Sequence, residues 1–544
     1  MHESAFQSAL LCAPFVLYGL AALLASLLPG WAWRLAHGAS VAVLLVAGCA
    51  LLLVAWGAGG TLPGWSVLHW GGWGELRLSF RLDAITSSVL LLVAFLGWVI
   101  VRYSQTYLEG EPQQTRYVRG LMLTLAAVSG VVLSNNLAFL VLAWMATSLA
   151  LNSLLTFYPE RPQALLVAHK KALASRLAEA CLLVAVALVG SSTGSLEMDH
   201  LQQHVMVLQQ GDAGLPMALH AAAVLFAVAA ILKCAQLPVH GWLIQVMEAP
   251  TPVSALLHAG VVNLGGLVLI RLGSVVAEVP AAQTLLVVMG TTTAVVAALV
   301  MMTRISVKVM LAWSTCAQMG FMLMQCGLGA YSLALLHLQA HSLYKAHAFL
   351  AAGGAVEQAR LQRLTPARAA PSVGATALAV CVSVAVVLLA AGLWNSALAP
   401  LTGAITVSTV NATTVVLTGI LCLALTPWFS VRAMRLSGAA VPVCGALTLL
   451  MALLYFALGG ALNGWMGGPP VAAPSPILLM WVAASFVLLF LLQSVIRAQP
   501  QGVFAQKLYP WFFAGLHLDE WFTRLTFRVW PLRLVWCPAD NCPK

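Results

Sequence analysis

Long apolar runs separated by short polar breaks recur along nearly the whole chain. A helix needs about 20 mainly apolar residues to cross the hydrocarbon core of a bilayer. Fifteen runs approach or exceed that length: 10–28, 40–56, 84–103, 120–134, 137–157, 172–195, 217–237, 251–272, 281–302, 307–326, 330–350, 374–393, 408–429, 439–459 and 477–496. The pattern predicts an all-α polytopic membrane protein with about 15 transmembrane helices. The first run follows no basic leader and precedes no clear small-residue cleavage site, so it reads as a retained span. The stretch 394–410 is a candidate re-entrant piece.

Composition agrees with a lipid solvent. Of 544 residues, 61% are hydrophobic and 8% charged, against roughly a quarter charged in soluble domains. The net charge of +10 raises the question of nucleic acid. No basic patch with interleaved aromatics exists, and no soluble domain is available to carry one. The basic residues sort by loop instead. Alternate loops hold Arg34; Arg102, Arg116 and Arg119; Arg161, Lys170 and Lys171; Arg304 and Lys308; Arg360, Arg363 and Arg368; and Arg432 and Arg435. The C-terminal segment adds Arg497, Lys507, Arg524, Arg528, Arg533 and Lys544. The opposite side has only Arg77, Arg81 and Arg271. Because Lys and Arg collect in cytoplasmic loops, the N-terminus is expected outside and the C-terminus in the cytoplasm.

Two surface elements stand apart from the spans. Residues 511–536 are rich in Trp and Phe, and Leu518, Phe522, Leu525 and Val529 share one helical face. Glu520 and Arg524 are spaced to pair. This is the pattern of a helix lying on the cytoplasmic leaflet. The loop 197–216 predicts a short outer helix. Eleven scattered cysteines form no CxxC, and Cys537 and Cys542 have no companions for a metal set, so no metal or cofactor is expected in this chain. No dinucleotide fingerprint, P-loop or nucleophile elbow is present, so no catalysis is expected in it either.

The loops leave Arg176, Lys233 and Lys345 inside the bilayer. An ionisable group at that depth costs several kcal/mol and is usually turned inward and partnered. A buried lysine can exchange its proton near neutral pH, whereas an arginine cannot. Lys233 lies in ILKCAQLPVHGW, five residues before Pro238, which breaks the helix and frees the Cys234 carbonyl. Open backbone at this depth implies a wet internal site; a lysine snorkelling from a helix end is the plainer alternative. In HLQAHSLYKAH, His337, His341 and Lys345 recur every four residues and cover roughly 12 Å of one helix face, the pattern of a relay. His258 lies in the span after Lys233, which opens with Thr251 as N-cap and Pro252. Glu248, just before it, is either ordinary charge at a helix start, a proton entry group or a partner for Lys233. Glu179 is either the local partner of Arg176, three residues away, or a carboxylate that tunes Lys233 from a neighbouring helix. Lys308 snorkels, or forms with Lys345 the cytoplasmic mouth of a path.

The segment KCAQLPVHGWLIQVMEAPTPVSALLHAGVVNLGGLVLIRL resembles the core signature of the antiporter-like subunits of respiratory complex I and of the Mrp cation/proton antiporters, above all the NADH dehydrogenase subunit 5 type. SVKVMLAWSTCAQMGFM and HLQAHSLYKAHAFLAAGGAV continue the likeness, which begins near LSFRLDAITS at 78 and runs to about 360. The resemblance implies two inverted five-helix repeats with broken helices. Residues 120–272 would be the first and 273–429 the second. Helices at 1–119 would precede them, two at 430–500 would follow, and 501–544 would form an aromatic, basic interfacial tail. It also implies that Lys233 is the central lysine of the first repeat, that His258 and Lys308 join it to the second, and that His341 and Lys345 continue the path.

Two departures stand out. The family's glutamate after a tryptophan in the fifth span is Met145 here, in LAWMATS, and 374–410 lacks the family's distal lysine. These departures resemble the family's branch in the DAB inorganic-carbon accumulation complexes of autotrophic bacteria. That likeness implies a multi-pass subunit of the bacterial inner membrane. Its partner would be a large soluble zinc protein like a β-type carbonic anhydrase, in which H⁺ or Na⁺ flow drives conversion of CO₂ to bicarbonate. With Met145 in place of the glutamate, Glu179 becomes the candidate to couple with Lys233. A subunit of an NADH- or formate-linked redox complex, a cation/proton antiporter subunit and a passive membrane anchor are the competing expectations.

Overall fold

The structure is a computed structural model that describes residues 2–69, 71–211, 214–355, 357, 360, 372–398, 411–432, 440–466 and 474–531. Helices α1 (His2–Leu27) and α2 (Ala32–Ala55) pack on α4 (Gln114–Leu133) and α3 (Ala84–Tyr107) respectively, and on each other. Helix α5 (Leu137–Leu155) follows, capped by Asn136, whose side chain accepts from the amides of Ala138 and Phe139. Next come α6 (Pro162–Thr193), the short α7 (Met198–Gln210) and α8 (Met217–Lys233). Helix α7 is the short helix expected in 197–216. After α8 the chain is irregular until α9 (Gly241–Ile244) and then α10 (Thr251–Ala259).

A second break follows at once. Gly260 leaves the helical region and a single tight turn over Val261–Asn263 leads into α11 (Leu264–Arg271). The expected uninterrupted span 251–272 is therefore two helices. The short α12 (Gly273–Val276) precedes α13 (Pro280–Met301), α14 (Val307–Gly327) and α15 (Tyr331–Leu350). Four more long helices complete the membrane region: α16 (Val373–Leu393), α17 (Ala412–Arg432), α18 (Ala440–Met466) and α19 (Pro476–Ala498). Helix α16 ends in a π turn over Trp394–Leu398, the described part of the candidate re-entrant stretch; 399–410 lies outside the described residues. Among the described residues thirteen helical stretches, the broken α10–α11 pair taken as one, are long and apolar enough to cross a membrane; α8 is apolar but shorter, and α15 is not among the thirteen.

Helices α13 and α14 make an intimate crossing. A Cβ at Gly290 would stand 2.5 Å from the carbonyl oxygen of Gly320, and one at Gly320 equally close to that of Gly290. Small residues let two backbones touch in this way.

Two features depart from an all-helical outline. Strands β1 (Gly60–His69) and β2 (Glu75–Leu82) form an antiparallel hairpin. On this side Arg271 pairs with Asp83 and donates to Thr86, while Arg81 bridges Asp83 and Asp199 at 2.8 Å each. Burial pushes the Asp83 carboxyl up, but Arg271 and Arg81 outweigh it and hold the group well below the usual carboxylate range. At the opposite side the tail forms α20 (Val503–Phe513) and α21 (Leu518–Val529), joined by a kink through Gly515, Leu516 and His517, all with positive φ. Helix α21 buries one side and exposes the other. Phe522 and Thr526 are buried, whereas Val529 is 61% exposed and Leu525 37%. Asp519 turns inward with them, because a buried ammonium awaits it there. The expected pair of Glu520 and Arg524 is present at 3.6 Å. Cys537 and Cys542 lie outside the described residues.

Candidate functional site

Lys233 is the last residue of α8 and 8% exposed. Its Nζ donates to Glu179 Oε1 at 2.9 Å and to Ser148 Oγ at 2.7 Å, and sits 5.4 Å from the Trp144 ring centroid. Glu179, on α6, is 2% exposed and also receives Arg176 Nη2 at 2.8 Å. Both alternatives for this carboxylate are thus realised together: it is the local partner of Arg176 and the cross-helix partner of Lys233. Glu248 stands apart. Its Oε2 lies 3.4 Å from Arg161, with both side chains well exposed, so it is no partner for Lys233.

A third cation belongs to this cluster. Lys171 is 4% exposed and donates to the Ser148 carbonyl at 2.5 Å. The loop assignment of Lys170 and Lys171 is therefore incorrect: α6 begins at Pro162 and takes both inside, Lys170 with 0% exposure. Arg161 and His169 give 161–171 the look of a loop; the pairing that permits burial comes from residues distant in sequence. Ser148 serves two ammonium groups at once, one with its hydroxyl and one with its carbonyl.

The break after Lys233 is as expected. Pro238 lies within it, and the Cys234 carbonyl is taken by Gln236 Nε2 at 2.9 Å. Ala235 has φ +51°. Thr251 is not an N-cap; Pro250 holds that place, and the Thr251 hydroxyl instead accepts from Lys308 Nζ at 2.7 Å. Lys308 thus reaches the start of α10, the helix that carries His258.

On α15, Lys345 is fully buried and donates to Ser314 Oγ at 2.7 Å and to the Leu311 carbonyl at 3.2 Å. The rings of His337 and His341 lie 5.9 Å apart, nearly parallel. His258 stacks on Phe349 at 4.3 Å. His258, His341 and Lys345 act electrostatically on one another. Neither ring nitrogen of His258 or His341 has a protein partner, nor does His337 Nε2. Buried polar atoms of this kind are ordinarily satisfied by water.

Two residues that sequence reasoning passed over link the second helix break to α15. Asn263, at the second helix break, donates to Ser342 Oγ on α15 at 2.7 Å and to the Ala259 carbonyl at 3.0 Å. Beside them lies an almost wholly apolar cavity of about 30 Å³, bordered by Leu96, Leu264, Leu338 and Ser342. A larger cavity of about 660 Å³ meets His337, Gln318, Gln325, Tyr455 and Gln493 between α14, α15, α17, α18 and α19. Among the described residues no group of three or more His, Cys, Asp or Glu side chains is arranged to hold a metal.

A broken helix bearing a paired lysine, joined to a histidine–lysine face on a second set of helices, defines an antiporter-like membrane subunit. The model of the NADH:quinone oxidoreductase/Mrp antiporter transmembrane family matches residues 134–392, and that of the complex I chain 5 N-terminus matches 70–118. The chain is 40% identical over 477 residues to the probable inorganic carbon transporter subunit DabB of Hydrogenovibrio crunogenus, covering 85% of this chain and 86% of that one. It is 39% identical to subunit DabB2 of Halothiobacillus neapolitanus, with 87% and 84% covered. The fold is similar to that of a chain in the Mrp complex from Dietzia sp. DQ12-45-1b, with TM-score 0.62, 24% identity, and 96% of this chain and 59% of that one covered. The chain therefore belongs to the antiporter-like membrane subunit family and, within it, groups with the DabB inorganic carbon transporter subunits. It is a multi-pass protein of a bacterial membrane, and its relatives are transporter or ion-translocating subunits.

Proposed function

We propose that the chain is a proton- or cation-translocating energy-coupling subunit of a DAB-type inorganic carbon pump. Ion flow through it would drive CO₂ hydration and bicarbonate accumulation in a large soluble, carbonic-anhydrase-like zinc subunit of DabA type. The observation that carries the translocating role is the Lys233 cluster: a buried ammonium held by Glu179 and Ser148 at a helix break, with a second buried ammonium on the same serine. A structural anchor has no use for two buried lysines on one hydroxyl residue, since each costs several kcal/mol to place there. The path would run from this cluster past Asn263 and Ser342 to His258, Lys345, His341 and His337. It would leave toward the cavity at His337, because 374–410 carries no charged residue. Lys308 would serve the mouth next to Thr251. The carbon-pump role is supported by the DabB relatives.

The experiment is flux after reconstitution. The full chain with the subunits that copurify is placed in liposomes, and uptake of protons under an imposed potential is followed with a pH dye. Lys233→Met and Lys345→Met should assemble normally and lose flux; normal flux in both would leave the passive anchor standing. Copurification of a large zinc-containing soluble protein supports the carbon-pump role, and copurification of dehydrogenase subunits refutes it.

A further inference from the structure

The tail helix α21 reaches into the membrane region at one point. Asp519 Oδ2 lies 2.8 Å from Lys170 Nζ, whose side chain is 0% exposed, and 2.8 Å from Gln245 Nε2. Lys170 also donates to Gln245 Oε1 at 3.1 Å, which closes a three-membered network. A Cβ at Gly241 would overlap the Asp519 carboxylate, so the absence of a side chain there is what admits it. His240 lies within electrostatic reach of the same carboxylate. Around this point Phe522 and Thr526 are buried, and the Trp530 ring stacks on His169 at 4.2 Å.

The partners of Asp519 sit on the two elements that make the candidate site. Lys170 is on α6, nine residues before Glu179 on the same helix. Gly241 opens α9 and Gln245 closes it, just beyond the irregular segment that starts directly after Lys233. One carboxylate from the far end of the chain thus ties the glutamate's helix to the lysine's broken helix. Lys170 is fully buried while the Asp519 side chain is 27% exposed, so removing the carboxylate is disruptive because it leaves a buried ammonium without its counter-charge.

We infer that Asp519 is a positioning residue: by clamping Lys170 to Gln245 it sets the register of α6 against the segment after α8, and so the geometry of the Lys233–Glu179 pair. The inference rests on the translocating role proposed above. It makes the C-terminal helix the element through which a subunit bound at this side would act on the site. The groups facing Lys233 are Glu179, Arg176 and Lys171 from α6 and Trp144 and Ser148 from α5. All of these remain in place chemically when Asp519 is altered.

The test uses the full chain with its copurifying subunits and two readouts. Trypsin cleavage at Arg524 and Arg528 of α21 reports docking, and the pH profile of flux in liposomes reports the site. Asp519→Asn removes the charge at constant size, and Gly241→Ala displaces the carboxylate while leaving it in the chain. Both should speed cleavage by about tenfold or more and move the pH midpoint of flux, and the exchange Lys170→Asp with Asp519→Lys should restore both. Unchanged cleavage in Asp519→Asn overturns the clamp. Faster cleavage with an unmoved pH profile overturns the positioning role while leaving the translocating role intact. Full flux in Lys233→Met removes the translocating role and the positioning role with it, and the protease readout still decides whether Asp519 anchors the helix.

Discussion

Glu179→Gln isolates the central ion pair. The substitution keeps the side chain's size and removes its charge. At 2.9 Å and an effective dielectric near 20, the attraction lost by Lys233 is about 6 kcal/mol before solvation is counted. Arg176 loses the same partner, but its side chain is 48% exposed and can turn outward. Lys233 cannot, and keeps only neutral acceptors, the Ser148 hydroxyl at 2.7 Å and the new amide oxygen. Stranding one member of a buried pair costs about 3–5 kcal/mol net. At 1.4 kcal/mol per tenfold, the charged site should be depopulated by on the order of a hundredfold or more. Flux into liposomes under a fixed potential should fall accordingly. The double variant Glu179→Gln with Lys233→Met should be no worse than Lys233→Met alone, since both act through one contact. Wild-type flux in Glu179→Gln, or losses that multiply in the double variant, would refute the coupling.

Other outcomes follow from the same geometry. Ser314→Ala should weaken flux by about tenfold to a hundredfold, less than Lys345→Met, because one hydrogen bond to a charged group is worth about 1.5–3 kcal/mol and the Leu311 carbonyl remains; this is read in the same liposome assay. Gly290→Val should abolish assembly, seen as loss of the monodisperse peak in detergent, since its branches would meet the Gly320 carbonyl. Asp83→Asn should lower the melting temperature at neutral pH by exposing the Arg271 and Arg81 charges to each other. Because the folded-state pKa of Asp83 is depressed, its contribution is complete above the unfolded value of about 3.9 and fades as pH falls below it. The deficit should therefore be constant above about pH 5 and shrink in acid.

The hydropathy pattern was enough to place every long helix, since fifteen apolar runs leave little else for the chain to do in lipid. Lys233, His341 and Lys345 were legible because a titratable group in an apolar run is costly and stands out, although snorkelling remained the plainer reading of Lys233. Lys170 and Lys171 were not. They directly follow His169 in a polar stretch, and the distant Ser148 carbonyl, Asp519 and Gln245 make their burial tolerable. The break at Gly260 left no proline as a signal, although Asn263, four residues before the apolar Leu267–Ile270 run, hinted at a polar interior. The hairpin was written in the sequence: Leu76, Leu78, Phe80 and Leu82 alternate with Arg77, Ser79 and Arg81. A search for twenty-residue runs does not see a period of two.

Ser148 gives Lys233 a side-chain atom and Lys171 a main-chain atom. The two contacts therefore differ in how evolution can reach them. Any substitution at 148 retunes the first, while the second survives every residue type that keeps α5 intact. A lineage can vary the chemistry around one lysine by drift at a single codon, with the other held fixed by the peptide bond itself.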